Sequence, residues 1–245
     1  ERTLILSGSL DPAIEDLANL VHDEGLFIHA SNVGNIGALQ ALNRNACHAA
    51  PMELPALSLL SESRFMMQHL PEQDIAFVHI ATIEQGIASR NGLVFEDLFK
   101  VRFINTRKDT PTRMIFDTLL SSRGIDPSRI DGYLHEVNGS HAVAAAIRNG
   151  FADAGVCTSS VAGAYGLQFV PIANEDYELA VKREMLNDPR ICTLISLIKS
   201  PAYKKILEKT GGYDSSQTGI IRSLSENNLL EEFHPTHWPT DLKSS

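Results

Sequence analysis

FINTRKDTPTRMIFDTLL, residues 103–120, joins a short apolar run to an amphipathic stretch through a segment rich in charge and hydroxyls. The first part, within KVRFINT (100–106), has the composition of a strand. The second part has helical spacing, and Gly124 is suited to end the helix. Its apolar face consists of Ile115, Phe116, Leu119 and Leu120. The stretch therefore predicts a strand, a polar junction and a helix, the building block of a βαβ unit.

The same alternation recurs along the chain, with apolar runs rich in Val, Ile and Phe followed by longer helical patterns. Predicted strands include TLILSGS (3–9), LFIHASN (26–32), DIAFVHIATI (74–83), DGYLHEV (131–137) and ADAGVCT (152–158). Predicted helices include residues 11–25, 35–45, LPALSLLSESRFMMQHL (54–70), 139–150, 159–166 and an amphipathic region at 190–212. This order predicts an α/β fold with parallel strand pairs.

Two such series are joined by extended segments near residues 80–88 and 170–178, and LQFVPIANEDYELAV (167–181) reads as a long extended path. We therefore predict two α/β lobes joined by two crossover segments. Residues 1–82 with 176–245 form the first lobe and residues 83–175 the second. A ligand cleft is expected between the lobes, where small-molecule sites preferentially lie. The tail from Tyr213, rich in Ser, Asn, Glu and Pro, is expected to be loosely packed.

The composition excludes several classes of protein. The net charge of -9 disfavours attraction of a polyanion, so we expect no direct nucleic-acid contact. No apolar run reaches the roughly 20 residues that cross a bilayer, and none has the pattern of a signal segment. The chain opens almost directly on a strand, and we expect that a secretory signal or a separate N-terminal domain precedes it in the full protein.

Four predicted strand-to-helix junctions share one chemistry. They are SGSLDP (7–12), ASNVGN (30–35), NTRKDTPTR (105–113) and EVNGSH (136–141). Each places Ser or Thr hydroxyls at a helix start, where backbone N–H groups lack intrahelical partners and the helix dipole favours negative charge. Hydroxyls and amides together form a neutral cradle for a small oxyanion or a carboxylate.

The same residue types are also the preferred helix caps, which gives each junction an alternative structural role. Ser9 or Asp11, Asn35, Thr110 and Ser140 are the candidate caps. Asp11 and Glu136 would repel a bound anion, so either these carboxylates turn away or the ligand also carries an amine or a proton. Arg113 lies in the first turn of its helix, against the dipole, which favours an anion nearby or a side chain that reaches solvent.

Other chemistry has weaker support in the sequence. The nine histidines include no metal-binding motif: His135 with His141, and His234 with His237, lack the helical i, i+4 spacing. Cys47, Cys157 and Cys192 form no CxxC pair and are expected to be free thiols, mostly buried. No nucleotide-binding glycine motif is present, so we expect no cofactor.

Two features fall at the predicted crossovers. At the first, Gly86 follows Glu84 and Gln85, and it is either a hinge or a strand end. At the second, Tyr177 either places its hydroxyl in the cleft or packs its ring on the lobe. Neither alternative is decided by the sequence.

With these residues in place, the chain resembles the PBP-like domain family, which has the type II periplasmic-binding-protein fold and is related to molybdate-binding proteins and LysR-type substrate-binding domains. The resemblance covers nearly all of residues 3–219. It rests on ILSGSLDPAIEDLA (5–18), SNVGNIGALQAL (31–42), IEQGI (83–87), VRFINTRKDTPTR (101–113), GIDPSRIDGY (124–133), HAVAAAIRNGFADAGV (141–156), FVPIANEDYELAV (169–181) and GGYDSSQTG (211–219).

The resemblance implies binding of a small anion and no catalysis. It places anion-binding loops on Ser7, Gly8, Ser9, Ser31, Asn32, Thr110, Thr112, Arg113, Ser140 and His141; Tyr177 is added as the crossover candidate. At 109–112 this chain has Asp-Thr-Pro-Thr where relatives usually have a Gly-Ser-Gly-Thr type of loop. Pro111 removes a backbone donor and Asp109 adds negative charge, which keeps a small carboxylate or an amino-acid-like ligand open.

The resemblance and the junctions together predict a solute-binding protein for uptake of an oxyanion such as molybdate or tungstate. Its partner would then be an ABC-type permease and its location the periplasm. The alternative is the cytoplasmic effector domain of a transcription regulator, whose DNA-binding domain would lie outside this chain. Neither hypothesis requires a metal, and a third, an enzyme using Cys157 or Glu136, is the least favoured.

Overall fold

The structure is a computed structural model that describes residues 2–55, 75–93, 95–108, 110–224 and 230–232. It divides into two compact units. Unit 1 comprises residues 1–81, 176–207 and 215–245, and unit 2 comprises residues 82–175 and 208–214. Most of the helix predicted at 54–70 and the predicted loop residue Asp109 lie outside the described residues.

Unit 1 begins with two βα units in succession. Strand β1 (Thr3–Gly8), helix α1 (Pro12–Asp23), strand β2 (Phe27–Asn32), helix α2 (Gly34–Asn43) and strand β3 (Ala50–Pro55) follow one another. β1 and β2 pair in parallel, with Gly8 opposite Asn32. The carboxyl ends of both strands therefore lie side by side, as sequential parallel strands require. Leu39, Leu42, Met52 and Phe77 belong to the apolar core of this unit.

Unit 2 contains strand β5 (Phe103–Thr106), helix α3 (Pro111–Ser122), strand β6 (Glu136–Val137), helix α4 (Ser140–Arg148), strand β7 (Ala154–Thr158) and helix α5 (Ser159–Ala164). β5 pairs in parallel with both β6 and β7. Phe103, Phe116 and Leu120 pack in one apolar cluster, with the rings of Phe103 and Phe116 stacked at 4.9 Å. The opening stretch is therefore a strand and a helix packed on each other, as its sequence predicts.

Two long strands contribute residues to both units. β4 is Ile75–Ser89 and β8 is Gln168–Lys182, and the two strands pair with each other. β4 also pairs antiparallel with β7, so the sheet is mixed and not wholly parallel. The segments predicted as extended crossovers near 80–88 and 170–178 are accordingly continuous strand.

The carboxyl-terminal part of the described chain holds two helices and three short strands. The predicted helical region at 190–212 is two helices, α6 (Pro189–Lys199) and α7 (Pro201–Thr210), because Pro201 cannot continue the first one. β9 (Tyr213–Asp214) and β10 (Ile221–Leu224) both pair with β4, and β11 (Leu230–Glu232) pairs with β10.

The expectation of a loosely packed tail is wrong for residues 213–224. Thr218 is buried, and its hydroxyl donates to the Ile80 carbonyl at 2.7 Å. Strand pairing with β4 and this hydrogen bond hold the segment despite its polar composition. Short 3-10 helices occur at Phe95–Lys100, Pro127–Arg129 and Arg183–Asn187. Among the described helices, none has the length and apolar character of a membrane span.

Candidate functional site

The first two junctions meet in unit 1 through a pair of serine hydroxyls. Ser7 lies near the carboxyl end of β1 and is opposite Ser31 of β2 in the parallel register. Their Oγ atoms are 2.8 Å apart, and the Ser31 hydroxyl also lies 3.4 Å from the Leu6 carbonyl. The strand pairing therefore brings two hydroxyls to one edge of the sheet, where α/β proteins bind ligands.

The loop after β1 is fixed by contacts with β3. The Ser9 N–H donates to the Pro51 carbonyl at 2.9 Å, and its hydroxyl donates to Asn35 Oδ1 at 3.2 Å. A Cβ on Gly8 would lie 2.0 Å from the Pro51 carbonyl oxygen, so only glycine permits this close approach. The Tyr177 hydroxyl donates to the Ser9 carbonyl at 2.6 Å. The loop thus has one defined conformation.

Asn35 joins three segments of unit 1 and is not a helix cap. Its Nδ2 donates to the Glu53 carbonyl at 2.6 Å, and its Oδ1 accepts from the Glu53 N–H at 3.2 Å. The N-cap of α2 is Val33, whose side chain makes no capping hydrogen bond. The start of α2 consequently lacks the side-chain acceptor that most helix starts have.

The third junction is capped from within unit 2. Thr110 Oγ1 accepts from the Arg113 N–H at 3.3 Å, and so Thr110 is the N-cap of α3. The Thr110 and Thr106 hydroxyl oxygens are 2.7 Å apart, and the Thr110 hydroxyl lies 2.7 Å from the Arg107 carbonyl. Thr112 is buried, with 3% of its surface exposed.

Arg113 is a buried cation with carboxylates on two sides. Its Nε donates to Asp117 Oδ1 at 2.8 Å, and its NH1 donates to Glu136 Oε1 at 3.0 Å. The guanidinium carbon lies 4.3 Å from the centre of the Tyr133 ring, whose hydroxyl donates to Asp117 at 2.6 Å. NH1 also lies 3.4 Å from the Thr106 carbonyl, so the guanidinium crosses the carboxyl ends of β5 and β6. Its NH2 is buried and has no hydrogen-bond partner among the described residues.

The fourth junction resembles the second because its helix start has no side-chain cap. Gly139 is the N-cap of α4, with a φ of 84° that favours glycine, and no side chain accepts from the first turn there. Ser140 is partly buried and His141 is exposed. The His141 ring lies edge-on to Tyr165, with ring centres 5.9 Å apart.

The carboxylates at the junctions have partners of their own. Asp11 is the N-cap of α1, and its Oδ1 accepts from the Ala13 N–H at 3.0 Å. Glu136 is bound by Arg113. A third carboxylate, Glu53, is partly buried; burial, together with the nearby charge of Asp11, raises its pKa from 4.5 to about 7. The repulsion expected from Asp11 and Glu136 is therefore reduced by a helix start and by a cation.

The structure places the predicted site residues in two sets. Unit 1 holds Ser7, Gly8, Ser9, Ser31, Asn32 and Tyr177; unit 2 holds Thr110, Thr112, Arg113, Ser140 and His141. Tyr177 is fully buried, in accord with the alternative that its ring packs within a lobe. That both sets bind one ligand stays a prediction.

Sequence reasoning missed the residues that hold these loops in place. It predicts Asn35 only as a candidate cap, and it assigns no role to Glu53, Asp117 or Tyr133. The Asp117 contact has a sequence signal, because residues four apart on a helix are neighbours. Glu53 and Tyr133 have none, because their contacts join segments distant in the chain.

Burial raises the pKa of all three thiols. Cys157 is fully buried, and burial raises its pKa to about 12. Cys192 is also buried, whereas Cys47 is half-buried, with a pKa raised to about 11. A thiol with a raised pKa carries little thiolate at neutral pH. His234 and His237 lie outside the described residues.

These two α/β units, joined by long strands, define a class of protein with the type II periplasmic-binding-protein fold. In the solved structures, a protein described as a phosphate ABC transporter substrate-binding protein with bound phosphate, from Clostridium perfringens, has a TM-score of 0.67 at 12% identity. That alignment covers 86% of this chain and 98% of the other. The effector binding domain of a BenM variant has a TM-score of 0.57 at 16% identity, covering 87% and 99% of the two chains. At these identities the likeness shows the fold alone.

The chain belongs to the PBP superfamily domain family, whose sequence profile matches residues 18–199. This confirms the family predicted from the sequence motifs. An uncharacterized protein in the ferredoxin 2Fe-2S gene 5' region of Clostridium pasteurianum is 38% identical over 113 residues, which is 44% of this chain and 96% of that protein.

Proposed function

We propose that the chain is a solute-binding protein that takes up a small tetrahedral oxyanion, bound by the junction residues of both units. Molybdate and tungstate are favoured by the family resemblance. Phosphate is a further candidate ligand, because a structural neighbour was solved with bound phosphate. The permease that would receive the solute belongs to the proposal as well.

The observation that carries this proposal is the contrast between capped and uncapped helix starts. Asp11 and Thr110 cap α1 and α3 with their side chains. α2 and α4 begin after Val33 and Gly139 without any side-chain cap. Each uncapped start adjoins hydroxyls that the sequence assigned to the ligand: Ser31 precedes α2, and Ser140 begins α4. An oxyanion is the partner that such N–H groups and hydroxyls favour.

Charge supports a site made of neutral donors. Arg113, the cation assigned to the ligand, is bound by Asp117 and Glu136. The remaining assigned donors are hydroxyls, backbone amides, an amide side chain and His141. Neutral dipoles that are fixed in advance can replace the water around an anion, because they need no reorganisation when it binds.

Thermal-shift titrations test the proposal with molybdate, tungstate, phosphate and sulfate. We expect at least one oxyanion to raise the melting temperature of the full chain. Ser31→Ala and Ser140→Ala should each weaken binding roughly 10- to 100-fold, the value of a hydrogen bond to a charged group. Ser122→Ala is the matched control, because Ser122 is an exposed serine at the far end of α3 and should leave affinity unchanged. Equal affinity in all three variants would show that the junction serines do not bind the ligand.

The likeness to the BenM effector domain favours a second candidate, the sensor domain of a transcription regulator. The coding sequence around this chain separates the two. A helix-turn-helix segment upstream in the same reading frame supports the regulator, whereas a signal segment and an adjacent permease gene support uptake.

An amino-acid-like ligand, which carries an ammonium group, is favoured by the proximity of two carboxyl groups. The Asp11 and Glu53 carboxylates lie close enough to interact, and Asn35 links Glu53 to Ser9. An ammonium group could pair with such carboxylates. Amino acids therefore belong in the same titration panel, and stabilisation by an amino acid but by no oxyanion would favour this alternative.

A further inference from the structure

Three strands of unit 1 bring one imidazole, two carboxylates and one guanidinium together. Asp176 and Glu178 are two residues apart on β8 and so share a face of that strand. Arg222 of β10 is paired with Phe77 of β4, and His79 follows Phe77 by two residues on the same face. One ligand atom from each of His79, Asp176 and Glu178 lies within 4.8 Å of the others. None of these residues was assigned a role by the sequence.

His79 and Arg222 both approach one oxygen of Glu178. The His79 Nδ1 lies 2.8 Å from Glu178 Oε1 and 3.3 Å from Arg222 NH1. If Nδ1 carries the proton, His79 and Arg222 both donate to Glu178 Oε1, and the 3.3 Å contact separates two donors that share one acceptor. In the other tautomer Nδ1 has a lone pair, which is the form of imidazole that binds a metal ion.

Glu178 has an unsatisfied oxygen in the same cluster. Its side chain is fully buried, Oε1 accepts from Arg222 NH1 at 2.6 Å, and Oε2 has no hydrogen-bond partner among the described residues. Burial raises the pKa of this carboxyl, whereas the His79 hydrogen bond and the charge of Arg222 lower it. A buried carboxylate oxygen without a partner requires an explanation, and a bound ion is one.

We propose that His79, Asp176 and Glu178 bind one divalent transition-metal ion of the Zn²⁺ class, and that Arg222 occupies the carboxylates in its absence. A bound cation takes the Nδ1 lone pair of the neutral imidazole and the unpartnered oxygen of Glu178 at once. One imidazole and two carboxylates are a ligand set that suits Zn²⁺, and the nitrogen ligand disfavours Ca²⁺ and Mg²⁺. The Asp176 side chain is 24% exposed, which gives an ion access from solvent.

Arg222 provides a test of this proposal, because its guanidinium and a metal ion would compete for the same carboxylate oxygens. Its NH1 also lies 3.5 Å from Asp176 Oδ2. Binding must displace this ion pair, so the affinity of the natural chain reflects the competition. Removing the guanidinium charge with Arg222→Gln should therefore strengthen metal binding.

Isothermal titration of the full chain with Zn²⁺, with Mg²⁺ as the comparison ion, tests the site. We expect one equivalent of Zn²⁺ and no heat with Mg²⁺. His79→Gln and Asp176→Asn should each weaken Zn²⁺ binding roughly 100-fold or more, since even outer-shell changes at metal sites cost 10- to 100-fold. His29→Gln is the matched control, because His29 is an exposed histidine of β2. Circular dichroism confirms that each variant is folded, and Asp176→Asn keeps the test decisive if His79→Gln unfolds.

Three results would overturn the proposal. The first is the absence of Zn²⁺ binding by the natural chain, including the case in which only Arg222→Gln binds the ion. The second is Zn²⁺ binding that survives both His79→Gln and Asp176→Asn. The third is an equal loss in His29→Gln, which would assign the heat to surface histidines. Because no oxyanion is used, these results are independent of the proposed uptake function.

Discussion

Arg113 carries a charge that is neutralised within its own unit. Asp117 and Glu136 accept from its guanidinium, and Tyr133 covers one face of it. The sequence placed this arginine at a helix start and left open whether it reached an anion or solvent. The structure shows a third arrangement, in which the arginine ties α3 to β6. The partners on β6 and in the loop before it could not be read from spacing, because they are contacts between distant segments.

Replacing Arg113 by Met should destabilise the chain by about 2 kcal/mol. Loss of the guanidinium leaves Glu136 and Asp117 without their cation. The cost is limited because these two side chains are 29% and 41% exposed and keep part of their hydration. Urea unfolding measures the change in the free energy of unfolding. Arg113→Lys keeps the charge but loses the planar fork, so its cost should be intermediate. A cost below about 0.5 kcal/mol for Arg113→Met would show that the pair contributes nothing.

The raised pKa of Glu53 predicts how the stability of the chain depends on pH. This pKa is raised from 4.5 to about 7 in the folded chain, so between these pH values the folded state holds a proton that the unfolded state has released. The free energy of unfolding must therefore fall as pH rises through this window. Glu53→Gln should reduce that fall and raise stability at pH 8 by about 1–3 kcal/mol.

Urea unfolding between pH 4 and pH 8 checks this sign. Glu15→Gln is the control, because it makes the same chemical change at an exposed glutamate of α1. The same pH slope in Glu53→Gln and in the natural chain would contradict the account of Glu53.

Most of the strands and helices followed from the sequence because each has a regular apolar period and a polar start. β1 with α1 and β5 with α3 are examples, and their caps are Asp11 and Thr110. The sequence did not predict the antiparallel pairing of β4 or the ordered strands that begin at Tyr213. Strand partners are chosen by tertiary contacts, which a local pattern does not contain. The same limit applies to the candidate site: its hydroxyls were predictable, but the bridge made by Asn35 was not.

Gly86 is required by the approach of two long strands. It lies within β4 opposite Cys157, and a Cβ there would lie 2.2 Å from the Val170 carbonyl oxygen of β8. The sequence left open whether this residue was a hinge or a strand end; it is a site of close backbone approach. Gly86→Ala should destabilise the chain by about 1–3 kcal/mol, because the β8 backbone must shift.

Gly163→Ala is the matched control for this prediction. Gly163 lies in α5, and a Cβ added there would have no neighbouring atom of the described residues within 4 Å outside its own helical turn. This change should be neutral or should stabilise the helix by up to about 1 kcal/mol. Thermal unfolding compares the two variants. Equal melting temperatures for Gly86→Ala and the natural chain would show that β4 and β8 tolerate a side chain at this position.

The net charge of the whole molecule bears on how the proposed site would bind an anion. A net charge of -9 offers no long-range attraction to an anion, so binding must come from local hydrogen bonds. This favours specificity for shape and hydrogen-bonding pattern over rapid electrostatic capture. The proposal of ligand binding rests on the uncapped helix starts of α2 and α4. In the proposed site, the hydroxyls and helix starts determine which ligand binds.

Isothermal titration of the full chain with molybdate, tungstate, phosphate and sulfate tests the central claim most directly. The account predicts that one equivalent of at least one oxyanion binds, and that Ser31→Ala weakens this binding while Ser122→Ala does not. The contradicting result is a folded chain that gives no binding heat and no rise in melting temperature with any of the four oxyanions up to about 10 mM.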